Sequence, residues 1–233
     1  MQYYPISLDI SGRRCVVVGA GAVAGRKVEG LLKAGGVVTV IGAATSPLIK
    51  SLAVDGRINL VKRRYKKGDL KSAFLVVCAT DSATVNKAVY EEAAALGILV
   101  NCVDSPSNCN FIVPAVVYRG ALVIAVSTSG KCPGLAAGIK REIEAVYGPE
   151  YGIFLDIIGA VRRKMLKSRI RCDKKERVIR ELASSPIPTL IKANDRAGVN
   201  AILKSSMGAG YTLSALGAGM QVGGFQDSNI KKR

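Results

Sequence analysis

Asp104 stands one residue beyond the apolar run at 98–102, after Val103, and precedes the rigid pair Ser105-Pro106. A carboxylate at the end of a buried strand can act as a general base, because burial raises its pKa toward neutrality. Its plainer reading is an ordinary turn aspartate. The chain contains no histidine, so proton transfer near neutral pH falls to Asp, Glu, Lys, Tyr or Cys. A second chemical feature is Gly19-Ala20-Gly21-Ala22-Val23-Ala24, a G-x-G-x-x-A run. It follows the β-branched stretch Cys15-Val16-Val17-Val18 and precedes Val28, Leu31, Leu32 and Ala34 at helical spacing. Strand, glycine turn and helix in that order cradle a dinucleotide diphosphate. Gly19 allows the tight turn, Gly21 lets backbone approach the phosphates, and Ala24 lets the helix pack close. The N–H groups of the helix opening at Ala22 and Val23 face the anion.

Other strand ends qualify this picture. A dinucleotide site usually has Asp or Glu after the second strand, bonding the adenosine ribose. Here that strand, 37–41, runs into Gly42-Ala43-Ala44-Thr45, with no acid and no nearby Arg for a 2′-phosphate. The ribose would then rest on backbone around Ala43 and Ala44. The strand at 74–79 leads to Thr80-Asp81-Ser82. Thr80 and Asp81 are candidate cofactor contacts, the alternative being that Asp81 or Ser82 only caps the next helix.

The elements that must position these groups alternate. Strands are expected at 58–61, 74–79 and 98–102, with a sixth at 110–113. Helices are expected from Ser46, with Pro47 in the first position, and over 82–96. The pattern predicts an α/β chain with a doubly wound parallel sheet. It changes near Pro114. Strands at 115–118 and 121–126 form a hairpin around Arg119-Gly120, and a helix covers 134–146. An amphipathic helix follows at 150–168. Asp173 and Glu176 resemble a capping box, Pro186 and Pro188 read as breakers, and a last helix covers 193–203. The expected units are a nucleotide domain at 1–113, a hairpin-plus-helix segment at 114–148, a helical domain at 149–206 and a flexible glycine-rich tail at 207–233.

At 49% hydrophobic and 22% charged, the chain reads as an ordinary globular protein. It has no apolar run of membrane-spanning length, and its first residues do not resemble a signal peptide, so a cytoplasmic protein is expected. None of the six cysteines forms C-x-x-C, so no metal site is indicated. The net charge of +17 is concentrated late, with 16 Lys/Arg against 5 Asp/Glu after residue 160. It fits a solvated basic surface, a nucleic-acid binder or a polyanionic small substrate, and charge alone does not choose among them.

Several motifs together resemble the precorrin-2 dehydrogenase/sirohydrochlorin ferrochelatase family, including the dehydrogenase–chelatase module of siroheme synthase. They are Tyr4-Pro5-Ile6, Gly12-Arg13, Val18-Gly19-Ala20-Gly21 with Val23-Ala24 and Arg26-Lys27, and Ala79-Thr80-Asp81 with Asn86. Further on come Asn101-Cys102-Val103-Asp104, Phe111-Ile112-Val113-Pro114, and Val126-Ser127-Thr128-Ser129-Gly130 with Pro133. They keep the family's order over about residues 1–145. The resemblance implies a Rossmann nucleotide domain, a homodimer built on the 114–148 segment, and NAD-dependent oxidation of precorrin-2 to sirohydrochlorin. Some members also insert ferrous iron as a second substrate. It makes Asp104 the essential acid, with Asn101 and the hydroxyl of Thr128 lining the same site. The family commonly has serine where this chain has Thr128 and Cys132. An anionic tetrapyrrole as partner gives the positive charge a use other than nucleic acid, and no membrane is implied. Two rivals stand beside this reading: a non-catalytic nucleotide-sensing module, which an acid after the second strand would favour, and a basic nucleic-acid-binding protein.

Overall fold

The computed structural model describes residues 3–103, 105–168 and 172–219. The first compact unit runs to Val113 and includes Ser129–Lys131; the second takes the remaining described residues. In the first, β1 (Arg14–Val18), β2 (Val37–Ile41), β3 (Asn59–Val61), β4 (Leu75–Cys78) and β5 (Leu99–Cys102) form one sheet ordered β3-β2-β1-β4-β5. Every neighbouring pair is parallel. Helices α1 (Ala22–Lys33), α2 (Pro47–Val54) and α3 (Ala83–Ala95) supply the crossovers.

The inner strands are valine-rich because both faces are covered. Val17, Val38, Val40 and Val77 pack with Ala24, Val28, Ile49 and Leu52 of α1 and α2. Val16, Val18, Val76 and Val100 pack on the other face with Val89 and Ala93 of α3. Ser46 caps α2 by accepting from the Ile49 N–H, and Pro47 sits at its start. Between β3 and β4 the chain is tied down by Glu92 of α3. Its buried carboxylate accepts from the N–H groups of Gly68 and Leu70, at 3.0–3.1 Å, and from the Tyr65 hydroxyl. Burial, then the Glu92 carboxylate, raises the Tyr65 pKa, so the phenol stays a donor.

Residues 110–113 do not form the expected sixth strand. Asn110 instead replaces strand pairing with its side chain: Oδ1 accepts from Val100 N–H at 2.7 Å, and Nδ2 donates to the Ile98 carbonyl at 3.1 Å. Asparagine amides compete with ladders in this way.

In the second unit, β6 (Ala115–Arg119) and β7 (Leu122–Val126) form an antiparallel hairpin. It packs on α4 (Pro133–Val146) and α5 (Glu150–Leu166). Then come α6 (Cys172–Ala183), α7 (Ile187–Lys192), α8 (Arg196–Met207) and α9 (Leu213–Leu216). Phe154, Ile157, Val161, Leu182, Ile187, Ile191, Val199 and Leu203 share its core.

Two sequence expectations shift here. Pro186 and Pro188 flank the start of a helix, α7, which the breaker reading had not anticipated; proline suits the first turn, where N–H groups have no intrahelical partner. The expected helix at 193–203 begins later, because Asn194 takes a left-handed φ of 55° and Asp195 caps α8 through the Gly198 N–H at 2.8 Å. Packing also extends past residue 206. Tyr211 and Leu213 are buried in the helical core, and Thr212 caps α9. Residues 220–233 of the expected tail lie outside the described ones. Among the described residues, no helix is long and apolar enough to cross a membrane.

Candidate functional site

The strand order reverses direction between β1 and β4, and ligands of doubly wound sheets bind beyond the carboxyl ends at such a point. The glycine turn lies there. Gly19 has a φ of 109°, and a Cβ on it would overlap the Ala79 carbonyl oxygen at the end of β4. Only glycine allows both the conformation and the close approach. Gly21, by contrast, faces open space: a Cβ there would meet nothing within 4 Å. Gly21 caps α1 with no side-chain hydrogen bond, and the first turn of α1 holds no acid. The opening N–H groups, at Ala22 and Val23, are therefore not taken up by a capping side chain, and Ala24 is fully buried beneath them. An open, uncapped cradle on a 12-residue helix fits a diphosphate.

Backbone hydrogen bonds lace the strand ends to this turn. Gly19 N–H donates to Ile41 O at 2.8 Å, Ser46 N–H to Ala20 O at 2.8 Å, and Gly42 N–H to Val61 O at 3.1 Å. Gly42 must be glycine because a Cβ would come within 2.7 Å of the Ala20 Cβ. Ala43 and Ala44 follow as exposed positions, with no carboxylate through Ser46.

At the end of β4, the Thr80 hydroxyl donates to Asn86 Oδ1 at 2.6 Å, and Asn86 Nδ2 returns a bond to Thr80 O at 3.1 Å. Thr80 is thus locked against α3. Ser82, not Asp81, caps α3 by accepting from Val85 N–H at 3.4 Å, which leaves Asp81 exposed. Asn101 is buried on β5, and its Nδ2 donates to Phe111 O at 3.0 Å. Its amide therefore fixes the chain that returns beside β5. Val103 continues the sheet by donating to Cys78 O at 2.9 Å. Asp104, next in sequence, lies outside the described residues.

Three buried thiols sit under these strand ends. Cys109 Sγ accepts from Cys102 N–H at 3.1 Å, and the Cys78 thiol donates to Asn86 Oδ1 at 2.9 Å. The hydrogen bond with Cys102, and burial, push the Cys78 thiol up; burial pushes Cys109 up. Cys78 and Cys109 are therefore neutral packing groups, whereas the hydrogen bond with Cys78 outweighs burial and lowers the Cys102 thiol. Half-buried Lys27 on α1 has its amine held below the usual lysine range, first by burial and then by Arg26. Thr128 belongs to the second unit. Its hydroxyl accepts from Cys132 N–H at 3.1 Å, closing the turn before α4, in which Ser129 and Gly130 take φ of 54° and 81°. Sequence reasoning thus found the glycine turn and the strand ends. It named Asn86 only as part of the Ala79-Thr80-Asp81 motif and did not anticipate that its amide holds Thr80. No group of three or more potential metal ligands occurs among the described residues.

The "Putative NAD(P)-binding" family model matches residues 6–115, and the "Sirohaem biosynthesis protein central" model matches 119–145. A siroheme synthase of Vesicomyosocius okutanii subsp. Calyptogena okutanii (strain HA) is 34% identical over 91% of this chain and 47% of its own length. One from Methylobacillus flagellatus (strain ATCC 51484 / DSM 6875 / VKM B-1610 / KT) is 39% identical over 78% of this chain and 38% of its own. The chain therefore spans less than half the length of these relatives. The solved structure of SirC, a precorrin-2 dehydrogenase, superposes with a TM-score of 0.72 at 27% identity, covering 88% of this chain and 98% of that one. With both models matched in this order, the chain is similar to siroheme synthases over less than half of their length and to the precorrin-2 dehydrogenase SirC over nearly all of its length.

Proposed function

We propose that the chain oxidises precorrin-2 to sirohydrochlorin with NAD as hydride acceptor. The observation that carries this reading is the open, uncapped glycine cradle at the switch point of the sheet, two strands from the Asn101-Cys102-Val103-Asp104 end of β5. Gly19, Gly21, Ala22 and Val23 hold the diphosphate, backbone at Ala43 and Ala44 supports the ribose, and Thr80 with Asp81 borders the nicotinamide half. NAD bound there supplies the two-electron acceptor.

Oxidation removes one hydride and one proton from the tetrapyrrole. Asp104 takes the proton, since no histidine exists and the Cys78 and Cys109 thiols at the strand ends are pushed up and stay neutral. Asn101 acts as a positioning residue through Phe111, and Thr128 shapes the turn before α4. Lys27 and the basic surface attract the carboxylates of the substrate. Ferrous iron is a second substrate where the same acid also strips the pyrrole protons.

The protein works as a homodimer. Tyr118 and Val123, cross-strand partners on the hairpin, are 62% and 50% exposed, an apolar pair suited to a second copy. Sedimentation of the wild type as a monomer would remove this assignment. Cys15, Cys78, Cys102, Cys109 and Cys132 are free thiols, as suits the reducing cytoplasm.

Anaerobic incubation with precorrin-2 and NAD, followed by ferrous iron, separates the two steps spectroscopically. Asp104→Ala is expected to abolish NADH formation while NAD still binds. Full activity in that variant would sink the role of Asp104.

A further inference from the structure

The positive charge that a 2′-phosphate needs, absent after β2, stands at the end of the neighbouring strand. Ile41 of β2 is in register with Val61 of β3, and neighbouring parallel strands lie about 4.8 Å apart. The Val61 carbonyl accepts from both Gly42 N–H at 3.1 Å and Arg63 N–H at 2.9 Å. Lys62 is therefore held in a tight turn beside Gly42, where the acid of an NAD site would otherwise stand. Lys62 and Arg64 are exposed, and neither has an ion pair among the described residues. Arg63 is spent on Asp69 through two bonds at 2.7 and 2.8 Å. Asp69, so paired, cancels none of the charge of Lys62. The loop carrying these cations is anchored by buried Glu92, so their backbone is fixed before any ligand arrives.

We infer that the cradle accepts a 2′-phosphorylated dinucleotide, NADP, as well as NAD, with Lys62 the residue that receives the 2′-phosphate. Two terms act together: no carboxylate from Gly42 through Ser46 repels the phosphate, and a preset ammonium attracts it. The inference rests on the dinucleotide reading above and deepens it.

Fluorescence titration with NADH and NADPH, at low salt, tests it by binding alone. The wild type should bind NADPH with a Kd no more than about tenfold above that for NADH. Lys62→Glu should raise the NADPH Kd at least about tenfold and move the NADH Kd by less than half as many log units. Lys71→Glu makes the same charge change at the opposite end of the sheet, where Arg14 at the start of β1 bonds the Lys71 carbonyl; it should leave the Kd ratio unchanged. A wild-type ratio above tenfold, or a Lys62→Glu effect that is small or alike for both nucleotides, overturns the inference and leaves the NAD reading standing. A Lys71→Glu shift equal to that of Lys62→Glu also overturns it, by showing only bulk charge. Failure of both nucleotides to bind overturns the dinucleotide reading itself.

Discussion

Asp69 shows how a single ion pair sets a pH limit. Hydrogen bonding to Arg63 holds its carboxyl below the usual aspartate range, outweighing its partial burial. The unfolded chain titrates near the ordinary value of about 4. Below that pH the unfolded state binds the proton more readily than the folded one. The stability this carboxylate contributes is complete above about pH 4 and is lost as pH falls through the depressed folded value. Asp69→Asn should remove that part of the acid dependence; a denaturation series between neutral pH and pH 3 reads it. An unchanged acid limb would show that other carboxylates set the slope. At the same scale, Lys62 was hidden from the sequence for a plain reason. Twenty residues separate it from Gly42, and only the parallel pairing of β2 and β3 makes them neighbours.

Among the elements, the start of α3 separates a structural residue from an exposed one. Ser82 accepts the Val85 N–H, whereas Asp81 caps nothing. Ser82→Ala should cost about 1 kcal/mol, and Asp81→Ala should change stability by no more than about 0.5 kcal/mol. Chemical denaturation of both variants checks this, and equal losses would move the cap. The buried parallel strands were legible because uninterrupted valine runs alternate with helical spacing. Elements that depend on side-chain substitution for backbone were not. Asn110 reads as strand because Phe111, Ile112 and Val113 follow it, yet its amide takes over the pairing. The helix at α7 is disguised by Pro186 and Pro188, and α9 by its glycine neighbours. In both, a few buried side chains, Ile187 and Ile191 or Tyr211 and Leu213, outweigh composition. The glycine turn was legible where glycine geometry dictates residue type, at Gly19. The candidate site was not legible where a partner residue does the holding, as Asn86 holds Thr80.

Across the whole molecule, the positive charge is concentrated late, and on the proposed reading the first unit carries the cradle and the second most of the long-range attraction. Salt should therefore weaken tetrapyrrole binding more than NAD binding, because exposed charges are screened within about 10 Å at 0.1 M. The thiols give another view of the first unit. Cys15, Cys78, Cys102 and Cys109 are buried in it, while Cys132 is exposed in the second. An alkylating reagent will mark Cys132 at once and reach the other four only when the sheet opens. Their labelling rate, followed residue by residue by mass spectrometry, is a clock for local unfolding. Saturating NAD should slow that clock by the factor 1 + [NAD]/Kd and leave Cys132 untouched. Equal rates with and without the nucleotide would place it away from the sheet. Residues buried as mere packing thus become reporters of whether the cradle above them is filled.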